Sequence, residues 1–140
     1  MLIYMGSGAA LAAYHREKRI RALAACARAC NETARHCLER VESGGPDRDR
    51  LARVRVLAAD CLEFCTLMVA LLGRGSTLAS CALPPCAEAF RECAEGCEQV
   101  DGDEIVRECA QRCRDCEQIC RNLADTSDHH DQFSDSPHRH

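Results

Sequence analysis

Cysteine is the residue whose number and spacing in this sequence could support chemistry. The chain has 140 residues, and 13 of them are cysteines, a share far above ordinary globular usage. Residues four positions apart lie on one face of an α-helix, so two cysteines at this spacing can hold the same ion. The spacing occurs at Cys26/Cys30, Cys61/Cys65, Cys93/Cys97, Cys109/Cys113 and Cys116/Cys120. This repetition, more than any single pair, indicates metal–thiolate chemistry.

The segments that carry the cysteines have the composition of helices. Four stretches are dense in alanine, leucine, glutamate and arginine, and glycine-containing segments at 44–46, 73–76 and 101–103 separate them. Because these connections are short, successive helices should run antiparallel. The predicted fold is therefore all-α, an antiparallel up-down-up-down four-helix bundle with a cysteine-lined core. We place the helices over residues 11–42, 48–72, 77–99 and 103–124.

Local signals refine the helix ends. Ser76 and Asp103 have side chains suited to cap the third and fourth helices. Pro84-Pro85 should end, restart or kink the third helix near its beginning, because proline lacks the amide donor of a helix interior.

The bundle domain is assigned to residues 15–124 and has a segment on either side. Residues 1–14 are predicted to form an N-terminal arm or helix extension. Residues 125–140 are polar, acidic and histidine-rich, which predicts a disordered tail.

At 100° per residue, the cysteines of each helix fall on the stripe that faces the core. Four cysteines span about 60° on the fourth helix, and three span about 40° on both the first and the third. On the second helix, two cysteines share a face with Val54, Leu57, Met68 and Leu72. We predict that all thirteen cysteines are metal ligands: Cys26, Cys30, Cys37, Cys61, Cys65, Cys81, Cys86, Cys93, Cys97, Cys109, Cys113, Cys116 and Cys120.

Two explanations without metal fit these cysteines less well. Cysteine is often a small, inert core residue, but cysteine seams on four helices would leave a loosely packed core. Disulfides within a helix are strained, because Cβ atoms four residues apart are about 5–6 Å apart, beyond the roughly 3.5–4.5 Å of a disulfide. Cross-helix disulfides would leave one of the 13 cysteines over and are disfavoured in a reducing compartment.

The choice of metal follows from charge and spacing. Soft thiolates select Cu(I), Zn(II) or iron–sulfur clusters. Zn(II) on four thiolates leaves a negative site, whereas Cu(I) shares two or three sulfurs and approaches a neutral array, which is less costly to bury. Zinc modules also use two-residue gaps, which only Cys113/Cys116 shows, and no ferredoxin-type spacing occurs. We therefore predict storage or buffering of multiple Cu(I) ions on thiolates that line the bundle interior.

Composition argues against several other function classes. With 18 basic and 22 acidic residues and no basic run with interleaved aromatics, nucleic acid is not an expected partner. No catalytic constellation, nucleotide-binding glycine loop or open zinc motif is found, so we expect no enzymatic activity. A zinc or general thiol reservoir resembling metallothionein, a copper chaperone and a structural helical bundle are the alternatives.

The N-terminal segment bears on the location of the protein. The apolar stretch from Leu2 to Tyr14 is too short to span a bilayer, so we expect no membrane partner. We predict a cytoplasmic protein. Export is the alternative if this segment is a truncated or misassigned leader, since Ala10-Leu11-Ala12 could serve as a cleavage signal.

The sequence resembles the bacterial copper storage proteins, which are cysteine-rich four-helix bundles. The segments ADCLEFC, LLGRGSTLASCAL, PPCAEAFRECAEGCE and ECAQRCRDCEQIC carry the resemblance, and ACARACNETARHCLE in helix one resembles the family more thinly. The similarity covers about residues 20–124. It implies a homotetramer of bundles, each storing multiple Cu(I) ions on the matching cysteines without catalysis. Thr33 and Phe90 depart from the pattern, because they occupy stripe positions where such a family could place further thiols.

The predicted topology gives the two ends of the bundle different characters. Met68 and His15 fall on the core stripes at one end, where we predict a metal entrance with these residues as accessory ligands. His36 is expected to flank the core near an outer groove. The tail histidines His129, His130, His138 and His140 could gather copper near the entrance. An apolar plug is predicted at the opposite end, formed by Val41, Leu51, Val54, Val100 and Ile105.

Overall fold

A computed structural model of the chain describes the backbone of residues 7–135 and the side chains of residues 8–126. It contains four helices, α1 Ser7–Ser43, α2 Arg48–Gly73, α3 Ala79–Glu98 and α4 Glu104–Asp135, and the described residues include no strand. The predicted all-α bundle is thus confirmed. The helix boundaries agree within two residues, except at the start of α1 and the end of α4.

The helices form a square in which each one packs against two neighbours. α1 packs against α2 and α4, and α3 packs against the same two helices. Along the contact between α1 and α4, residue numbers rise on α1 while they fall on α4. Ala22 meets Cys116, Cys30 meets Cys109 and Arg40 meets Asp103. α2 and α3 show the same order, from Arg50 beside Gln99 to Phe64 beside Cys86. Neighbouring helices of these pairs are therefore antiparallel, as predicted.

The N-terminal parts of α3 and α4 differ in how they are capped. The Asp103 carboxylate accepts hydrogen bonds from the amides of Ile105 and Val106 at 3.1 and 3.2 Å, so it caps α4 as predicted. Ser76 instead accepts from the amide of Leu78 at 3.1 Å, in the turn before α3 begins at Ala79. The predicted cap at Ser76 therefore belongs to the preceding turn.

Pro84 and Pro85 lie within α3. The two prolines therefore neither end nor restart the third helix, which were two of their three predicted effects. Both prolines come shortly after the first turn of α3. Each lacks the amide that would donate to the carbonyl group four residues earlier, and those carbonyl groups lie near the exposed N-terminal end of the helix, where water can solvate them.

The longest helices extend past the bundle. α1 begins at Ser7, and residues 8–18 are exposed. α4 runs to Asp135, beyond the predicted end at residue 124. No proline interrupts the segment from Glu104 to Asp135, and the Thr126 hydroxyl donates to the carbonyl oxygen of Asn122 one turn earlier. The division into arm, bundle and tail stays a prediction, with residues 1–6 and 136–140 outside the described chain.

The core contains few large side chains, and the helices approach closely. Phe90, Leu23, Leu51 and Met68 are the largest fully buried residues, and most of the remaining core is cysteine, valine and alanine. A Cβ atom added to Gly96 of α3 would lie 2.7 Å from Leu57 Cδ1 of α2. The absence of a side chain at Gly96 therefore leaves room for the Leu57 side chain between α2 and α3.

Candidate metal centre

Twelve of the thirteen cysteines are buried, and each of these is at most 1% exposed. All thirteen are free thiols, so the cysteines do not form disulfides in this structure. The buried thiols come from all four helices and follow the bundle axis, from Cys86 and Cys120 near one end to Cys37 and Cys97 near the other. The stripes that helical periodicity predicted therefore converge on one shared interior.

The closest thiols form a cluster that we call the six-thiol nucleus. In its first half, the Sγ atoms of Cys26, Cys30, Cys61 and Cys113 lie within 4.8 Å of one another. In its second half, Cys93 and Cys109 meet the same limit together with Cys30 and Cys113. Cys30 and Cys113 thus belong to both halves.

The shortest distances in the nucleus join α4 to α1 and α2. Cys113 Sγ lies 3.8 Å from Cys26 Sγ, 4.0 Å from Cys30 Sγ and 3.8 Å from Cys61 Sγ. Cys30 Sγ also lies 4.0 Å from Cys109 Sγ and 3.9 Å from Cys26 Sγ. These are contacts between separate thiols, and they leave room for ions that share sulfur ligands.

The thiols nearer the predicted entrance are more dispersed. Cys86 Sγ lies 3.9 Å from the carbonyl oxygen of Phe64, and Cys116 Sγ lies 3.5 Å from that of Ala22. Cys86 also pairs with Cys120 across α3 and α4. Donation to backbone carbonyls satisfies protonated thiols that have fewer sulfur neighbours.

Hydrogen bonds between the thiols of the nucleus shift their pKa values in opposite directions. Hydrogen bonds from Cys113 and Cys116 hold the pKa of Cys26 far below its ordinary value, and bonds from Cys109 and Cys113 do the same for the pKa of Cys93. Hydrogen bonding to Cys109 and Cys26 raises the pKa of Cys113, so this donor keeps its proton. A few thiolates stabilised by neighbouring thiols are good first ligands for a soft cation.

Cys37 marks the far end of the thiol column. Burial, followed by the nearby Asp103 carboxylate, raises the pKa of Cys37 to about 11. A metal ion that binds this thiol must therefore displace a firmly held proton.

Cys81 differs from the other cysteines. It is exposed, and helical geometry places it about 140° from Cys86 on α3, on the opposite side from the core stripe. Among the thirteen predicted ligands, Cys81 is therefore the one whose side chain lies outside the shared interior. α3 continues unbroken from Ala79 through both prolines, which fixes Cys81 in the register that points outward.

The other predicted site residues occupy distinct places. Met68 is fully buried one turn beyond Cys65, and His15 is exposed on α1, where its ring contacts Tyr14 at a centroid distance of 5.6 Å. Thr33 and Phe90 are buried on the cysteine stripes, as predicted. The side chains of the four tail histidines lie outside the described residues.

The end predicted as an apolar plug also holds an ionic cluster. Leu51, Val54 and Val100 are buried there as expected. In addition, Asp103 Oδ2 accepts from His36 Nε2 at 2.7 Å and from Arg40 Nη1 at 2.5 Å, with its own side chain only 5% exposed. In the sequence, Asp103 is recognisable only as a helix cap, and the four-residue spacing of His36 and Arg40 is the signal that points to its partners.

The chain is similar to known copper storage proteins in sequence and in structure. The profile of the Csp family, described as copper storage protein, matches residues 12–125. The structure of the Cu(I)-bound copper storage protein BsCsp3 is similar, with a TM-score of 0.68 and 27% identity over 77% of this chain and 96% of that chain. A Nitrosospira multiformis protein of known crystal structure has a TM-score of 0.66 and 33% identity over 79% of this chain and 95% of its own. No protein of curated function matches the chain.

Proposed function

The chain belongs to the copper storage protein family and stores multiple Cu(I) ions, and we propose that its twelve buried cysteines are the ligands. The observation that supports this assignment is the convergence of thiols from four helices, with Sγ distances of 3.8–4.0 Å in the nucleus. Sulfur atoms this close can be shared by low-coordinate ions, so that bound charge and thiolate charge nearly cancel. Cys81 lies outside the proposed ligand set.

An anaerobic Cu(I) titration against a competing chelator tests the proposed ligands. We expect many tightly bound ions per chain, and Cys81→Ser should leave this capacity unchanged because its thiol faces solvent. The matched variant is Cys86→Ser, which lies five residues after Cys81 on the same helix and should lower the Cu(I) capacity by about one ion. A capacity near one ion per wild-type chain, or equal losses in the two variants, would contradict the assignment.

The end of the bundle that contains Met68 is our proposed copper entrance. The thioether is a soft ligand, and it lies one helical turn beyond Cys65 on the same face of α2. Leu23, Leu71 and Leu83 are buried in the same core, and the interior thiols are at most 1% exposed. Entry at this end therefore requires side chains to move, and a ligand positioned there would hold an ion in transit.

Replacement of Met68 by leucine should slow copper uptake several-fold and leave the final capacity unchanged. Leucine conserves the volume of the core but removes the sulfur atom. Stopped-flow mixing with a coloured Cu(I) complex would measure the rate, and Leu51→Met at the opposite end serves as a control for repacking. Equal uptake rates in Met68→Leu and the wild-type protein would rule out the ligand role.

We further propose that the protein assembles as a homo-oligomer, with the tetramer that the family resemblance implies, through the outer face of α2. This helix is long and apolar enough to span a membrane by composition alone, yet its inner face carries buried core cysteines. Val56 and Leu67 are 51% and 43% exposed and lie within about 20° of each other in helical projection. An exposed apolar stripe of this kind is typical of a protein interface.

The double substitution Val56→Arg and Leu67→Arg should convert the oligomer into smaller species. Charges placed in an apolar interface lose their hydration without gaining a partner. Size-exclusion chromatography with light scattering would measure the mass, and Gln111→Arg on the exposed face of α4 is the control. An unchanged mass in the double variant would exclude this face as the interface.

For the remaining assignments, we propose a non-catalytic cytoplasmic protein without membrane or nucleic-acid partners. The thirteen free thiols support a reducing compartment. Storage also accounts for the buried thiols without requiring a reaction.

A further inference from the structure

We infer that the copper-free protein binds two divalent d10 cations such as Zn(II) in the six-thiol nucleus, with Cys30 and Cys113 as bridging ligands. The inference extends the proposed function, because it rests on the same cysteines being metal ligands. It concerns a different class of ion, which prefers four sulfur ligands to two or three.

The distances in the first half of the nucleus match a tetrahedral site. A Zn–S bond of about 2.3 Å in a regular tetrahedron separates the sulfur atoms by about 3.8 Å. Cys113 Sγ lies 3.8 Å from both Cys26 Sγ and Cys61 Sγ, and Cys26 Sγ lies 3.9 Å from Cys30 Sγ. The four atoms all lie within 4.8 Å of one another, so small side-chain rotations would complete the tetrahedron.

The second half repeats this arrangement around the same two sulfurs. Cys93 and Cys109 complete a quartet with Cys30 and Cys113, and the Cys30–Cys109 distance is 4.0 Å. One ion would therefore have Cys26 and Cys61 as terminal ligands, and the other would have Cys93 and Cys109. The bridging cysteines lie on α1 and α4, and the terminal ligands Cys61 and Cys93 lie on α2 and α3. The pair of ions would therefore join all four helices.

Sharing of two sulfurs also lowers the cost of burying charge. Two separate four-thiolate zinc sites would carry a net charge of about −4, whereas two ions on six thiolates carry about −2. Formation of the site takes two Zn(II) ions and six thiols and releases six protons.

The outer thiols are not arranged for a further ion of this type. Among the described residues, the quartets that satisfy the 4.8 Å limit contain none of the other six buried thiols, which are Cys37, Cys65, Cys86, Cys97, Cys116 and Cys120. Zn(II) capacity should therefore stop near two ions per chain, while Cu(I) uses the whole thiol column. Cu(I) should displace the zinc, because its array is closer to neutral.

Equilibrium dialysis of the anaerobic, copper-free protein against Zn(II) and a weak chelator tests the inference. We expect two ions per chain for the wild-type protein and fewer than one for the double variant Cys30→Ser/Cys113→Ser. The matched variant Cys86→Ser/Cys120→Ser removes two buried thiols outside the nucleus and should retain two. Co(II) substitution should give the intense visible bands of tetrahedral thiolate coordination in the wild-type protein and this control.

Two further measurements distinguish a failure of the two-ion Zn(II) site from a failure of Cu(I) storage. Circular dichroism of each variant establishes that it is folded, and Cu(I) titration of the same samples measures storage. Failure to retain Zn(II), or equal Zn(II) losses in the two folded double variants, would overturn the two-ion site even if Cu(I) storage is normal. If the wild-type protein does not bind multiple Cu(I) ions in this titration, the proposed function itself is overturned.

Discussion

Removal of Cu(I) is expected to destabilise the bundle more than any single substitution. Ligands that bind only the native state add to its stability, by about 4 kcal/mol for an ion whose free concentration exceeds its Kd a thousandfold. Several such ions should raise the free energy of unfolding by more than about 10 kcal/mol. The physical reason lies in the core, where twelve buried cysteines replace larger apolar side chains that would otherwise fill and stabilise it.

Guanidinium denaturation followed by circular dichroism, with anaerobic copper-free and Cu(I)-loaded samples, would measure this difference. The loaded protein should unfold at a much higher denaturant concentration. Cys30→Ser/Cys113→Ser should lose a large part of the copper-dependent gain, because it removes the two most shared sulfurs, whereas Cys81→Ser should keep the full gain. Coincident unfolding curves for the two states would show that the metal is not held by the folded core.

Substitution of Asp103 by alanine is expected to cost about 3 kcal/mol of stability, as the sum of a lost helix cap and lost charged hydrogen bonds. The carboxylate caps α4 and also accepts from His36 and Arg40 of α1. Its loss would free the start of α4 and leave the two α1 side chains without their acceptor. Denaturation of the copper-free protein would measure the effect, and the exposed neighbour Asp101→Ala should change stability by less than about 0.5 kcal/mol.

The same substitution has a predictable pH dependence. Burial alone would raise the pKa of Asp103, but hydrogen bonds from His36 and Arg40 hold it below its ordinary value. Because the pKa of the Asp103 carboxyl is lower in the native state than in the unfolded state, its ionised form stabilises the protein at pH values above the unfolded-state pKa of about 3.9. This stabilisation is lost as the pH falls through the native-state pKa. The gap between wild type and Asp103→Ala should therefore narrow on acidification below about pH 4. A constant gap, or altered Cu(I) capacity at neutral pH, would contradict a purely structural role.

The α3–α4 segment shows how far local sequence signals reach. Asp103 could be recognised as a helix cap because capping needs only a short polar side chain beside free amides. Its bonds to His36 and Arg40 join residues more than sixty positions apart, at separations of 67 and 63 residues. Local patterns contain no information on which side chains meet across such a distance.

The sequence by itself determined the four helices, the core stripes and the thiolate chemistry, because periodicity and residue type act within a few turns of the chain. Only the tertiary structure decided which sulfurs belong to both quartets of the nucleus, since the meeting of Cys30 and Cys113 depends on the relative rotation and height of α1 and α4. It also decided that Cys81 faces solvent, because that required α3 to keep its register through Pro84 and Pro85. Helical geometry assigns a face to each residue, whereas packing of the four helices sets the distances between those faces.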